Sequence, residues 1–342
     1  MATLKDVARQ AGLSVTQASR ALNDHSDVSE TTRERVKQAA RALQYRPNLS
    51  ARKLVSGRSG MVGLVTPRTR DLANDSLFME VVAGLSMEFS ELEMQFVLHI
   101  AREEEPVIPV YQRLIGNGAL DGFVLIHPTD EDPRARFLAQ AEVPFVVHGR
   151  IGTDPAHGYF DVDNHAILHQ LATHLTGLGH RRIALLNGVA GRCYVTARTQ
   201  GYHQALAEAG IPFDPALLHH GEMTEGFGLL ATAAMFAPGG GAPTAIICGN
   251  VRIAKGVYQA LAALGLRVPD DVSVMAHDDH IARLQTAAFY PALSVTDAPL
   301  RDSWKPLAAC LADLIAGEPQ DRAQVIGPHR LILRQSTAAP RR

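Results

Sequence analysis

Seven short, largely apolar runs recur between residues 61 and 277: MVGLVT (61–66), QFVLHI (95–100), GFVLIH (122–127), PFVVHG (144–149), RIALLN (182–187), AIICG (245–249) and VSVMAH (272–277). Each is separated from the next by a stretch long enough for a helix. A strand that is apolar on both sides needs cover on both sides, which a parallel sheet flanked by helices supplies. Four runs precede about residue 160 and three follow it. The expected class is therefore α/β, with two doubly wound parallel-sheet lobes and a ligand cleft between them near the carboxyl ends of the strands.

The first 60 residues carry no such run and have a different charge. They hold eleven Lys/Arg against five Asp/Glu, a net of +6, whereas the remaining chain is at −8. A small basic module on an acidic body suits a protein that places one end on a polyanion. Thr3 is a candidate N-cap with Asp6 in the first turn, and Leu4, Val7, Ala8 and Ala11 follow at helical spacing. Gly12 permits a tight turn, and Ser14-Val15-Thr16-Gln17 has the form of a capping box that restarts the chain as a second helix. A third helix is expected from Ser29 through Leu43, ending before Pro47. Three short helices so joined make a helix-turn-helix unit, expected to be an all-α headpiece. Its second helix buries little but Ala18, Ala21 and Leu22, so its short polar face suits close approach to a DNA major groove.

The segment LSARKL (49–54) is too short to be a stable helix alone, and its basic residues would order on phosphates. Leu54 beside that basic run has the composition of a minor-groove wedge. Residues 3–54, through TLKDVARQAGLSVTQASRALN, VSETTRERVKQAARALQYRPN and ARKL, resemble the DNA-binding headpiece of the LacI/GalR repressor family. That resemblance implies that the second helix reads the operator. Val15 and Thr16 would be its leading base-reading residues, Ser19, Arg20 and Asn23 would contact backbone or bases, and Leu54 would be the intercalating hinge leucine. Thr3, Ser14, Gln17, Tyr45, Asn48 and Ala51 complete the implied DNA-binding set. Gln17-Ala18-Ser19 stands where the family commonly has Thr-Val-Ser.

The resemblance continues to Arg334 through GLGHRRIALLNG (177–188), the Arg198-Thr-Gln-Gly201-Tyr202 spacing, LAALGLRVPDDVSVMAHDD (261–279) and PHRLILRQST (328–337). It implies a body similar to periplasmic sugar-binding proteins, crossed three times by the chain. Expected boundaries are 1–58 for the headpiece and hinge, 59–159 with 297–322 for the first lobe, and 160–296 with 323–338 for the second. The effector residues implied are Arg198, Asp278, Asn250 and Phe160. A guanidinium fork and a carboxylate together suit a polyol. Three departures stand out: Gly149 replaces the usual aspartate, Asn250-Val251 the usual Asn-Asp, and Ala298 the usual glutamine.

Other chemistries find little support. No apolar run approaches the length of a membrane span, and Lys5, Asp6 and Arg9 interrupt any signal-peptide core, so a cytoplasmic protein is expected. Cys193, Cys248 and Cys310 are odd in number and lack a CxxC pair. His165, His169 and His174 read as a solvated helix face, since HExxH is absent. No nucleophile motif, phosphate loop or cofactor fingerprint accompanies Asp278-Asp279. The sequence thus reads as a ligand-responsive regulator without catalytic residues, metal or cofactor. Its expected partners are operator DNA, a small polar effector such as a sugar, and a second copy of the chain. The rival reading is a sugar-processing enzyme with a basic appendage.

Overall fold

The computed structural model describes residues 2–22, 27–45, 58–67, 76–102, 105–152, 155–237, 241–280, 284–319 and 323–341. Contacts divide the chain into two compact units, Met1–Gly60 and Met61–Arg342. The smaller unit contains α1 (Leu4–Gln10), α2 (Val15–Leu22) and α3 (Glu30–Ala42). Val7, Ala8, Ala11, Ala18, Ala21, Val36 and Ala39 form its core, and Gly12 makes the turn between α1 and α2 at φ +65°. That small core matches the expected three-helix unit, and Ser29, where the third helix was expected to begin, is the N-cap of α3.

The larger unit holds two six-stranded sheets. The first contains β1 (Met61–Pro67), β2 (Gln95–Ala101), β3 (Gly122–Leu125), β4 (Phe145–His148), β5 (Gly158–Val162) and β11 (Gln324–Gly327), in the order β11-β5-β4-β3-β1-β2. All its pairings are parallel. The second contains β6 (Ile183–Asn187), β7 (Leu218–His220), β8 (Ala245–Cys248), β9 (Ser273–Asp278), β10 (Ser294–Asp297) and β12 (Arg330–Ile332), in the order β12-β10-β9-β8-β6-β7. Only β12 runs antiparallel. Both orders reverse after their first strand, the doubly wound pattern whose crevice lies at the carboxyl ends of the strands.

Helices cover both faces of each sheet. The first packs on α4 (Ser76–Glu91) and α11 (Trp304–Ala316) on one side, and on α5 (Val107–Gly116) and α6 (Pro133–Gln140) on the other. The second packs on α7 (Asn164–Gly177) and α8 (Cys193–Glu208) on one side, and on α9 (Glu225–Met235) and α10 (Val251–Ala263) on the other. Glycines set the closest helix contacts. A Cβ on Gly201 of α8 would stand 2.1 Å from the His165 carbonyl oxygen of α7, and one on Gly228 of α9 would stand 2.1 Å from that of Ile253 in α10.

Two boundaries differ from the sequence expectation. β5 continues the first sheet to Val162, so the chain crosses after 162 and not at 159. β11 pairs with β5, so the last crossing falls between Gly327 and Arg330, whereas residues from 323 onward were expected in the second lobe. Parallel addition to a buried strand places Gln324–Gly327, and its weak apolar pattern hid this. β2 is an edge strand with a half-exposed surface rather than a doubly covered one. No described helix is long and apolar enough to cross a membrane.

Candidate functional site

In the smaller unit, two reciprocal caps set the helix starts. The Thr3 hydroxyl accepts the Asp6 N–H at 3.4 Å, while the Asp6 carboxylate accepts the Thr3 N–H at 2.9 Å. Ser14 Oγ accepts the Gln17 N–H at 3.2 Å, and Gln17 Oε1 accepts the Ser14 N–H at 3.1 Å. The second cap therefore occupies the side-chain oxygen of Gln17 and projects the first turn of α2 outward. Val15 is 43% exposed, and Thr16, Gln17 and Arg20 are exposed, whereas Ser19 is half-buried. Arg20 donates to Asp27 at 2.6 Å, a pair that a nearby phosphate can exchange for itself. Tyr45 is half-buried just after α3. Asn23, Asn48, Ala51 and Leu54 lie outside the described residues.

In the larger unit, a cavity of about 180 Å³ opens at the carboxyl ends of the strands. Its apolar wall includes Phe78, Val81, Ile126, Phe160 and Val162, and its polar side includes Asp161, Asn164, Arg198 and Asp279. Arg198 comes from α8, is 5% exposed, and has its guanidinium 5.0 Å from the centre of the Tyr194 ring. Its Nε donates to Asn164 Oδ1 and its Nη1 to the Gly249 carbonyl, each at 2.8 Å. Among the described residues, these two bonds leave Nη2 without a hydrogen-bond partner. Asp279 Oδ1 is buried without a hydrogen-bond partner among the described residues, and is an acceptor whose desolvation a donor from a ligand would offset.

The margins of the cavity are tied by direct bonds. Arg192 Nη1 donates to the His127 carbonyl at 2.6 Å, and Thr196 Oγ1 donates to Asp130 at 2.7 Å. The Cys193 N–H reaches the Pro128 carbonyl at 3.2 Å. These bonds join the loop after β3 to the start of α8.

Of the four expected effector residues, Arg198 and Phe160 line the cavity and Asp278 and Asn250 do not. Asn250 caps α10: its Oδ1 accepts the Ile253 N–H at 2.9 Å and its Nδ2 reaches the Met223 carbonyl at 3.4 Å. Asp278 accepts the His280 N–H at 2.9 Å. Beside it, Asp297 is bonded by both His280 and Arg330, and burial raises the Asp278 carboxyl above its usual range. The next residue, Asp279, lines the cavity. Asp161, Asn164, Tyr194 and His277 also line the cavity and were not expected. Two of the departures from the family pattern, Gly149 and Ala298, lie on the lining. Away from it, His165 and His169 stack on α7 with ring centres 6.2 Å apart, and His169 pairs with Glu208.

Desolvation dominates the electrostatics. Burial pushes the Asp279 carboxyl up to about 6 against the pull of Arg198, and pushes Asp161 up to about 6 against Arg150. Burial, helped by His127, takes His148 down to about 4, and His277 is held well below its usual range. An acid raised in the folded state contributes stability that is full below its unfolded pKa near 3.8 and is lost as pH rises through about 6. The lowered histidines act in the opposite sense. Asp279→Asn removes one acid contribution, so the variant gains about 2–3 kcal/mol relative to the parent protein between pH 4 and pH 7. Urea unfolding of both proteins at the two pH values measures this difference, and a change of opposite sign would contradict it.

Comparison with known proteins agrees with both halves. Residues 3–48 match the model of bacterial regulatory proteins of the lacI family, and residues 172–337 match a periplasmic binding protein-like domain. The chain is 36% identical to the HTH-type transcriptional regulator AglR of Rhizobium meliloti (strain 1021), over 98% of this chain and 94% of that protein. It is 38% identical to the HTH-type transcriptional regulator RafR of Escherichia coli, over 84% of this chain and 85% of that one. Among solved structures, the lac repressor dimer bound to operator and the anti-inducer ONPF superposes with a TM-score of 0.76 at 27% identity, over 99% of each chain. A complex of the transcriptional regulator CelR with cellobiose does so with a TM-score of 0.69 at 29% identity, over 98% of this chain and 100% of that one.

Proposed function

The chain belongs to the LacI family of bacterial transcriptional regulators, and from that premise we propose that it is a repressor that binds a pseudo-palindromic operator as a homodimer and is controlled by a sugar or sugar derivative in the cleft of the larger unit. The cleft carries this reading. A sugar presents hydroxyls that both donate and accept, together with apolar C–H faces. Arg198 Nη2 offers a donor, Asp279 Oδ1 an acceptor, and Phe78, Val81, Ile126 and Phe160 an apolar wall. The solved CelR complex with cellobiose supports the same class of ligand.

Two uncharged outer faces support the homodimer. On α4, Met79, Ala83, Ser86, Met87 and Ser90 are exposed at helical spacing, with Met79 at 49% and Met87 at 56%, and Ile100 is exposed on the edge strand β2. On α9, Leu230 is 69% exposed beside Ala233 and Ala234. Apolar faces of this kind are costly in water, and two-fold pairing covers each patch with its own copy. Such pairing would match two headpieces to two half-sites.

Selection of duplexes by the full-length protein, followed by anisotropy titrations with and without a panel of cellobiose, maltose, lactose, glucose and galactose, tests the proposal. The expected outcome is an inverted-repeat consensus, salt-sensitive affinity and a sugar-dependent change in that affinity, with no sugar consumed. Absence of any preferred duplex would overturn the regulatory reading, and turnover of a sugar would favour the enzyme. Exchanging Val15 and Thr16 for other residues should change the selected bases while leaving most affinity for random duplex intact. An unchanged consensus would remove both from base reading.

A further inference from the structure

We infer that Asn164 is a positioning residue that links the cleft arginine to the first crossing of the chain between the sheets; the inference rests on the reading of the cleft as an effector site. Asn164 is 4% exposed and opens α7, directly after the chain leaves β5. Its Oδ1 accepts the Arg198 Nε–H at 2.8 Å, and its Nδ2 donates to Asp161 Oδ1 at 3.1 Å and to the Val162 carbonyl at 3.2 Å. One short amide thus binds α8 of the second lobe to the last two residues of β5 in the first.

The chemistry requires an amide. The guanidinium side needs an acceptor, while the Asp161 carboxylate and the Val162 carbonyl need donors. Only one orientation of the Asn164 side chain satisfies all three, which also fixes its oxygen and nitrogen assignment. A carboxylate at 164 keeps the acceptor but meets Asp161 with like charge. An aliphatic residue loses both functions.

The approach of α7 to α8 brings these groups together. Gly201, three residues after Arg198, lets α8 reach the His165 carbonyl, and His165 follows Asn164. Rotation of the lobes about the crossing changes the backbone at 161–164 and, through Asn164, the position of Arg198. By the same linkage, a guest bound to Arg198 favours one arrangement of the crossing.

The test uses the full-length protein with Asn164→Leu and Asn164→Asp. Hydrogen exchange at the Arg198 Nε–H, followed by NMR of arginine-labelled protein without any sugar, should quicken at least ten-fold in the Leu variant and recover in the Asp variant, whose carboxylate still accepts that proton. The sugar of the five-member panel that most raises the melting temperature of the parent protein serves as the probe. Asn164→Leu should raise the sugar concentration for half-saturation at least ten-fold, and Asn164→Asp should recover part of that loss. In both variants, saturating sugar should change operator affinity by less than a tenth of the parent fold-change. Arg198 exchange unaffected by the Leu substitution, or an Asp variant that keeps the full operator response at sugar saturation, would overturn the inference. If none of the five sugars shifts the parent protein, the effector reading fails for that panel, and the exchange measurement alone decides whether Asn164 positions Arg198.

Discussion

Arg198→Lys raises the sugar concentration needed for a half-maximal change in operator affinity by ten- to a hundred-fold. The guanidinium is held at two nitrogens, by Asn164 and by the Gly249 carbonyl, so that a third can meet a ligand. A lysine keeps the charge but concentrates its donors on one atom and cannot reproduce that fork. The loss of a charged hydrogen bond costs about 1.5–3 kcal/mol, which is the stated change in concentration. Lysine is the better probe than alanine, because alanine removes the cation that most opposes the burial of Asp279, which destabilises the fold itself. Asp279→Asn should share the loss of response, and Asp278→Asn should not, since only Asp279 lines the cavity. Anisotropy titrations of operator against sugar measure all three variants. An unchanged midpoint in Arg198→Lys and Asp279→Asn would remove both residues from the effector site.

Gly201→Ala destabilises the larger unit by about 3 kcal/mol and lowers its melting temperature by roughly 6–10 °C. The added Cβ would lie 2.1 Å from the His165 carbonyl oxygen, 2.9 Å from the carbonyl carbon and 3.1 Å from the His169 nitrogen. These are backbone atoms of a packed helix, so α7 and α8 must move apart by more than an ångström. The movement also stretches the Arg198–Asn164 bond, so the sugar response weakens along with stability. Gly226→Ala is the control: its Cβ meets nothing within 4 Å, and alanine is the better helix former there. Calorimetry of the two variants checks the contrast. Equal melting temperatures for Gly201→Ala and the parent protein would mean that the helices accommodate the methyl group.

The parts of this protein legible in its sequence are those governed by local chemistry. Thr3 with Asp6 and Ser14 with Gln17 form the caps that their spacing announced, because a cap needs only residues within one helical turn. The seven apolar runs became β1, β2, β3, β4, β6, β8 and β9; apart from the half-exposed edge strand β2, they are apolar along their length because they are covered on both faces. β5, β7, β10, β11 and β12 are shorter or more polar, and they are strands because established strands offer them partners at the right distance. Local pattern carries no trace of that, so the last crossing was expected five residues too early.

The site divides in the same way. Arg198 and Phe160 were named from the sequence and line the cavity, but the motif could not choose between adjacent aspartates. Past the end of a strand, successive side chains leave in different directions, and the surroundings decide which one faces the cleft. Here the His280 backbone engages Asp278, and Asp279 remains for the cavity. Asn250 was expected at the ligand, yet its side chain satisfies the first turn of α10. Asn164 had no signal in the sequence at all. Two of its partners, Asp161 and Val162, are its near neighbours along the chain, but the third, Arg198 on α8, is one that only tertiary packing brings within 2.8 Å of the same amide. The sequence alone determined the helix caps, the apolar strands and the basic headpiece, because each depends on neighbours along the chain. Tertiary structure alone decided which polar groups share the cleft, because hydrogen bonds depend on distance in space.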